Sequence, residues 1–239
     1  MSDLLDTVIE AQGGLRRWSE FTSVTAHLSF GGALFPLKGQ DGYLDDITVR
    51  AELHRQSAEL FPFGAADLIS TFTGDHIAIV TDTGDIVAER ADPRASFAGH
   101  TLTTQWDRLQ TAYFLNYAMW NYLNEPFLFT TNGFHVEELA PWNENGQTWR
   151  RLKVVFPDRV ATHSPEQTLY YDERGLIRRH DYTVEIAGAG PTAHYASDHK
   201  DFNGIIVPTT RRVYPVTDTG EALPEPLMVS VDLDNVVFG

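Results

Sequence analysis

The sequence contains no cysteine. A disulfide framework, a thiolate metal site and a cysteine nucleophile are thereby excluded. Basic residues are also scarce: 18 Lys and Arg stand against 33 Asp and Glu, a formal net charge of −15. Nucleic acid and anionic membrane surfaces would be repelled over most of such a surface, so neither is an expected partner. No stretch approaches the roughly 20 apolar residues of a membrane span. The opening MSDLLDTVIEAQGGLRRW has acidic residues where a signal peptide needs positive charge, and a cytoplasmic location is the expectation. GxGxxG before a helix, a P-loop, a GxSxG elbow and HExxH are all missing. Dinucleotide, nucleotide, serine-hydrolase and zinc-protease readings lose their minimum parts, and neither cofactor nor metal is expected.

What is present is β-rich. At 239 residues the chain fits one large domain, 1–239, without internal repeat or linker. Such a length buries roughly 70–75% of the unfolded surface, enough for a core that needs no staple. Leu4, Leu5, Val8 and Ile9 recur at helical spacing, with Ser2 or Asp3 as cap and Gly13–Gly14 as stop. The period then changes to two. Val24, Ala26, Leu28 and Phe30 alternate with polar residues over 22–30, as do Val49, Ala51 and Leu53 over 47–54. Four further segments follow, 59–63, 68–72, 76–81 and 86–90, joined by short Gly/Asp turns that predict an antiparallel meander.

One helix interrupts the strands. Residues 105–124, QWDRLQTAYFLNYAMWNYLN, are apolar on nearly every side, the pattern of a buried helix. Before it, 91–104 forms the longest irregular segment of the first half, the kind of loop that acts as a lid or a crossover linker. After Pro126, seven more strand-like runs reach the C-terminus, separated by turns such as Asn143–Gly146 and Asp172–Gly175. The fold class expected is α+β: a large curled antiparallel sheet of about a dozen strands, an incomplete barrel, wrapped around the aromatic helix, with a short N-terminal helix.

Nine histidines invite acid–base or metal chemistry. Alternation places His27, His54 and His135 toward water. In 176–186 the even positions form the more apolar face, so Arg178, His180 and Tyr182 are expected to point inward, where polar groups need partners. The following strand offers His194, Tyr195, Ser197, Asp198 and His199. A one-residue slip would reverse every assignment. His194 and His199, an odd number apart, make poor co-ligands for a metal. The candidate catalytic set is His180 and His199 as acid–base with Arg178 as anion stabiliser. The candidate ligand-binding set is Tyr113, Tyr117, Trp120, Tyr182 and the loop residue His100, although helix aromatics are more often plain core.

The C-terminal runs YYDERGLIRRHDYTVEIAG, HYASDHKDFNGIIVPTTRRVYPV and VSVDLDNVVF, with the start around Gly13–Gly14–Leu15 and Trp18, resemble LolA/LolB-like lipoprotein-localisation proteins. The D-x-x-x-x-G-I-x-x-P turn, here Asp198 to Pro208, contributes to that resemblance. It implies an incomplete barrel with a cavity for acyl chains or comparable ligands. The chain departs from the carriers in lacking a signal peptide pattern and a lipobox cysteine. The same fold also serves cytoplasmic, cofactor-independent natural-product enzymes that act on an aromatic intermediate. Two readings therefore stand: a cytoplasmic protein binding a small hydrophobic or aromatic molecule in the half-barrel, or a cofactor-independent cyclase, isomerase or hydrolase using the same space.

Overall fold

The computed structural model describes residues 3–40 and 42–239, so the capping role expected of Ser2 lies outside the described residues. Six strands precede the long helix: β1 (Ser23–Gly31), β2 (Ile47–Glu52), β3 (Ala58–Phe61), β4 (Leu68–Phe72), β5 (His76–Thr81) and β6 (Ile86–Ala91). Seven follow it: β7 (His135–Glu144), β8 (Gln147–Val155), β9 (Glu166–Tyr171), β10 (Ile177–Thr183), β11 (Pro191–Phe202), β12 (Ile205–Pro215) and β13 (Val229–Phe238). All belong to one sheet in the order β6-β5-β4-β3-β2-β1-β13-β12-β11-β10-β9-β8-β7. Strands β6 and β7 are free edges, so the sheet curls without closing.

Each half is a simple meander of consecutive antiparallel strands: short Gly-containing turns join β3–β4, β4–β5, β5–β6, β7–β8, β9–β10, β10–β11 and β11–β12, whereas 53–57 joins β2 to β3 without glycine and the longer 156–165 joins β8 to β9. The halves meet where β1 pairs antiparallel with β13, from Val24 opposite Phe238 to Gly31 opposite Ser230. Strand β1 alternates without a break, with Val24, Ala26, Leu28 and Phe30 buried. The chain must then cross from the β6 edge to the β7 edge, and it does so through the interior.

That crossing is the aromatic helix. Of the four α-helices among the described residues, α1 (Asp3–Ala11), α2 (Gly14–Trp18) and α3 (Leu34–Leu37) are short, whereas α4 spans Arg108–Asn124. Every residue of α4 from Leu109 to Asn124 is buried. It begins three residues after the expected Gln105, because Asp107 closes a capping box: its carboxylate accepts from Gln110 N at 2.8 Å while Gln110 Oε1 accepts from Asp107 N at 3.0 Å. Asp107 also receives Arg90 Nη2 from β6 at 2.8 Å. Asp107→Ala is expected to cost about 1–2 kcal/mol by loss of this cap, read as a shift of the urea midpoint. An unchanged midpoint would show that burial alone sets the start of α4.

Helix α1 buries Leu4, Leu5, Val8 and Ile9, as the spacing predicted. At its end Gly13 has φ of 123°, and a side chain there would run into the Gly204 carbonyl.

Strand β10 obeys alternation from Arg179 onward but not before. A bulge falls between Ile177 and Arg179, so that Ile177 faces the core and Arg178 is half-exposed. The expectation that Arg178 points inward is therefore corrected. His180 and Tyr182 do face inward and are buried. On the opposite face Arg179 is also wholly buried, beneath the rings of Trp142, Tyr170 and Tyr195, and donates to Asp181, Glu144 and the Gly220 carbonyl.

Candidate ligand-binding site

A chain of buried polar side chains runs between α4 and the second half of the sheet. Its hub is His163, carried by the irregular segment between β8 and β9. His163 Nδ1 lies 3.0 Å from the Tyr117 hydroxyl and Nε2 lies 2.7 Å from that of Tyr122. The Tyr122 hydroxyl continues to that of Tyr182 at 2.8 Å, and Tyr182 continues to His194 Nδ1 at 3.2 Å. Arg211 of β12 lies over the Tyr122 ring at 4.7 Å and donates from Nη1 to His194 Nε2 at 3.4 Å. The His163 ring stacks on Tyr182 with centroids 4.2 Å apart and an interplanar angle of 17°.

Burial dominates the electrostatics. His163 is pushed down to about 3 by burial, with the Arg94 charge adding to the effect. His180 and His194 lie well below the ordinary histidine range for the same first reason, and Arg211 reinforces both. A neutral imidazole has one N–H and one lone pair, so one of the two tyrosines on His163 donates and the other accepts. His180 Nε2 must donate to Gln167 Oε1 at 2.6 Å, which leaves its Nδ1 as an acceptor. Glu125 Oε2 faces that nitrogen at 3.5 Å, and burial raises the Glu125 carboxyl to about 8 against the opposing charge of Arg211. The pair is thus a neutral acid beside a neutral base.

Among the described residues, neither Glu125 oxygen has a hydrogen-bond partner, nor do Gln12 Nε2, Tyr171 Oη, His180 Nδ1 and Arg211 Nε. Gln12, Glu125, Tyr171 and Arg211 border a void of about 10 Å³, about one water in size. A second void, apolar and bounded by Phe30, Phe114, Met119, Tyr182 and His194, measures about 20 Å³. The space between α4 and the β10 face is therefore filled by the chain itself.

Two larger recesses are open to solvent on either side of the Pro157–Pro165 segment. One, of about 760 Å³, is walled by Leu15, Trp18, Leu53, Trp120, Phe127 and Leu128. The other, of about 370 Å³, lies over Tyr113 between Asp75, Arg94 and Asp158. Arg159 and Val160 border both.

The sequence-derived candidates are only partly assembled. Tyr117, Tyr182 and His180 join the buried cluster, and Trp120 lines the larger recess while its Nε1 donates to the Glu52 and Arg55 carbonyls at 2.7 and 2.9 Å. Tyr113 is buried against Phe72, Phe97 and Tyr117. His100 packs edge-on to Phe97 at 5.4 Å, away from the tyrosine–histidine chain. No hydrogen bond links His199 or Arg178 to His180; His199 sits half-buried near Arg178, where burial and that charge lower it to about 4. His54 and His135 are exposed, whereas His27 is half-exposed between Asp46 at 2.8 Å and Asp234 at 2.7 Å, whose hydrogen bonds raise its pKa. His163, Glu125 and Arg211 were not singled out from the sequence. The signals available for them were a histidine flanked by loop prolines, a carboxylate directly ahead of the proline that ends α4, and an arginine at an apolar-face position of β12.

A curled, unclosed antiparallel sheet holding a buried crossover helix is the LolA-like fold. Among solved structures the chain is similar to a LolA superfamily protein from Nitrosomonas europaea, with a TM-score of 0.53 and 10% identity over 98% of this chain and 92% of that one. It is similar also to a DUF1329 family protein from Desulfovibrio piger, with a TM-score of 0.52 and 10% identity over 98% of this chain and 91% of the other. No protein-family model and no curated protein matches the sequence.

Proposed function

We propose that this protein binds a small hydrophobic or aromatic molecule at the open end of its half-barrel. The observation that carries the reading is the recess of about 760 Å³ walled by Trp18, Trp120, Phe127, Leu53 and Leu128. Its size lies within the range of small-molecule sites, and apolar walls with few polar groups are their usual makeup. The polar groups on this recess favour an acidic ligand. Among the described residues, Arg16, Arg55, Arg159 and His54 border it and no carboxylate does, in a chain whose net charge is −15. Arg55 is held in place by Glu52 at 2.8 Å, so a ligand would share a guanidinium already partly neutralised.

Leu15 is 39% exposed at the mouth of the recess. Leu15→Asp removes apolar wall and adds a charge that repels an anion, while an acid in the first turn suits the short helix α2. Its affinity for an anionic aromatic probe, anilinonaphthalene sulfonate, is expected to fall by at least about tenfold in fluorescence titrations, the effect of about 1.4 kcal/mol. Undiminished binding by the folded variant would rule the recess out.

A further inference from the structure

The interior is filled in part by a loop side chain. His163 comes from neither α4 nor a strand. It is the inward tip of the segment between Phe156 and Pro165, whose residues Asp158 and Arg159 are exposed. The segment is tethered from several elements: Glu185 N donates to the His163 carbonyl at 3.3 Å, Gln167 Nε2 to Thr162 Oγ1 at 2.6 Å and to the Ser164 carbonyl at 2.8 Å, and Thr183 N to Ser164 Oγ at 3.3 Å. Gln56 bonds both backbone atoms of Ala161, each at 2.8 Å; Asn121 Nδ2 donates to the Ala161 carbonyl at 3.1 Å; Arg94 Nη1 donates to the Thr162 carbonyl at 2.8 Å. Open recesses lie on both sides of it. Lifting this one segment would connect both recesses to the tyrosines beneath.

What His163 does inside is what a bound ring would do. It stacks on Tyr182, meets Tyr117 edge-on at 5.1 Å and Phe114 at a tilt at 5.7 Å, and bonds two hydroxyls through its two nitrogens. Tyr117 and Tyr122 stand on α4 and Tyr182 on β10, and these elements keep other anchors, α4 its capping box and β10 its ladders to β9 and β11, so the three walls persist when the segment leaves. A hydrocarbon placed there would strand the Tyr117 hydroxyl and leave that of Tyr122 with Tyr182 alone, a cost that selects against it. A ring with one N–H and one nitrogen lone pair would not.

The geometry points to the Tyr117–Tyr122–Tyr182 pocket as a binding site for a planar, neutral, nitrogen-bearing aromatic ring, held shut in this structure by the chain's own His163. This deepens the ligand-binding reading and rests on it: the recess beside Trp120 is the approach, and the pocket under His163 is where the ring lodges. Opening must be paid for before binding, so the observed affinity is the intrinsic one multiplied by the fraction of open molecules.

The test uses benzimidazole, which carries both nitrogen functions, and indene, which is similar in shape and carries neither. Gln56→Ala cuts two tethers without touching the pocket walls, and it is expected to bind benzimidazole about tenfold more tightly than the wild-type protein in calorimetric titration. Indene should gain less than twofold. His163→Ala, which removes the plug itself, should show the same preference for benzimidazole and a rise in melting temperature on adding it. Unchanged or weaker benzimidazole binding by Gln56→Ala, or equal gains for indene, overturns the proposal. Leu15→Asp separates the two readings. Loss of the anionic probe there with no benzimidazole gain in Gln56→Ala sinks only the plugged pocket, whereas retention of the probe sinks the recess.

Discussion

Tyr117→Ala is expected to lower the unfolding free energy by about 3–5 kcal/mol, the range for truncating a buried aromatic side chain. Tyr117 is fully buried, with Tyr113, Phe114 and His163 all within ring-contact distance. The cavity left would be lined on one side by α4 itself, a helix pinned at its start by Asp107 and at its end by Trp120 and Asn124 against Glu52. Collapse is thus resisted, which argues for the upper part of the range. Tyr117→Phe isolates the polar contribution, because only the hydroxyl is lost while His163 Nδ1 remains buried. That variant should lose about 1–2 kcal/mol, the penalty of one stranded buried group. Urea unfolding of both variants measures the two terms. A loss below about 1 kcal/mol for the alanine variant would mean that α4 shifts to refill the space and that the interior is not tightly packed.

The second large effect is on acid stability. His163, His180 and His194 are buried and neutral, with His163 held down to about 3 and the other two well below the ordinary range. In the unfolded chain each takes up a proton below about 6.5. A depressed folded value therefore contributes stability that is complete above that pH and is lost as pH falls toward the folded values. Glu125 acts in the opposite direction. Its raised carboxyl, about 8 in the fold, stays protonated while the unfolded one ionises, so its contribution is complete at low pH and is lost as pH rises toward 8. His27, raised by Asp46 and Asp234, also loses its contribution with rising pH, but it is half-exposed and solvent screens it. Three histidines outweigh one carboxyl below pH 6.5. Each fully buried ring contributes up to about 1.4 kcal/mol per pH unit and Glu125 subtracts as much until its unfolded carboxyl protonates at the low end of the window, so the slope between pH 6 and 4 should average roughly 3 kcal/mol per unit. Urea midpoints across that window give the slope directly. A flat profile would show that the rings are protonated in the folded protein.

Much of the architecture was legible in the sequence because it depends on local chemistry. The alternation of Val24, Ala26, Leu28 and Phe30, the glycine stop after α1 and the all-round apolarity of α4 each report a neighbourhood a few residues wide. The orientation of Arg178 was not legible, since the bulge beside it is set by pairing with β9 and one extra residue changes which face a side chain takes. His163 was hidden for a related reason. Its burial depends on Gln56 and Asn121, residues 107 and 42 positions away by their numbers in the chain, and nothing in the Pro157–Pro165 run shows that it folds inward. Glu125 was hidden by its chemistry: a carboxylate at a helix end normally reads as a solvated terminus, and only the tertiary structure shows it facing His180.

The pairing of β1 with β13 bears on how the molecule comes together. Every other ladder joins strands that are neighbours in sequence, whereas this one joins Val24 to Phe238 across almost the whole chain. Loop-closure entropy grows with that separation, and long-range ladders form slowly. The two meanders can assemble separately around α4, each with an unpaired strand edge, until the first strand finds the last. The seam is therefore the place where a half-folded chain is open to a second copy of itself, and exchange of β13 between molecules is the misassembly this topology invites.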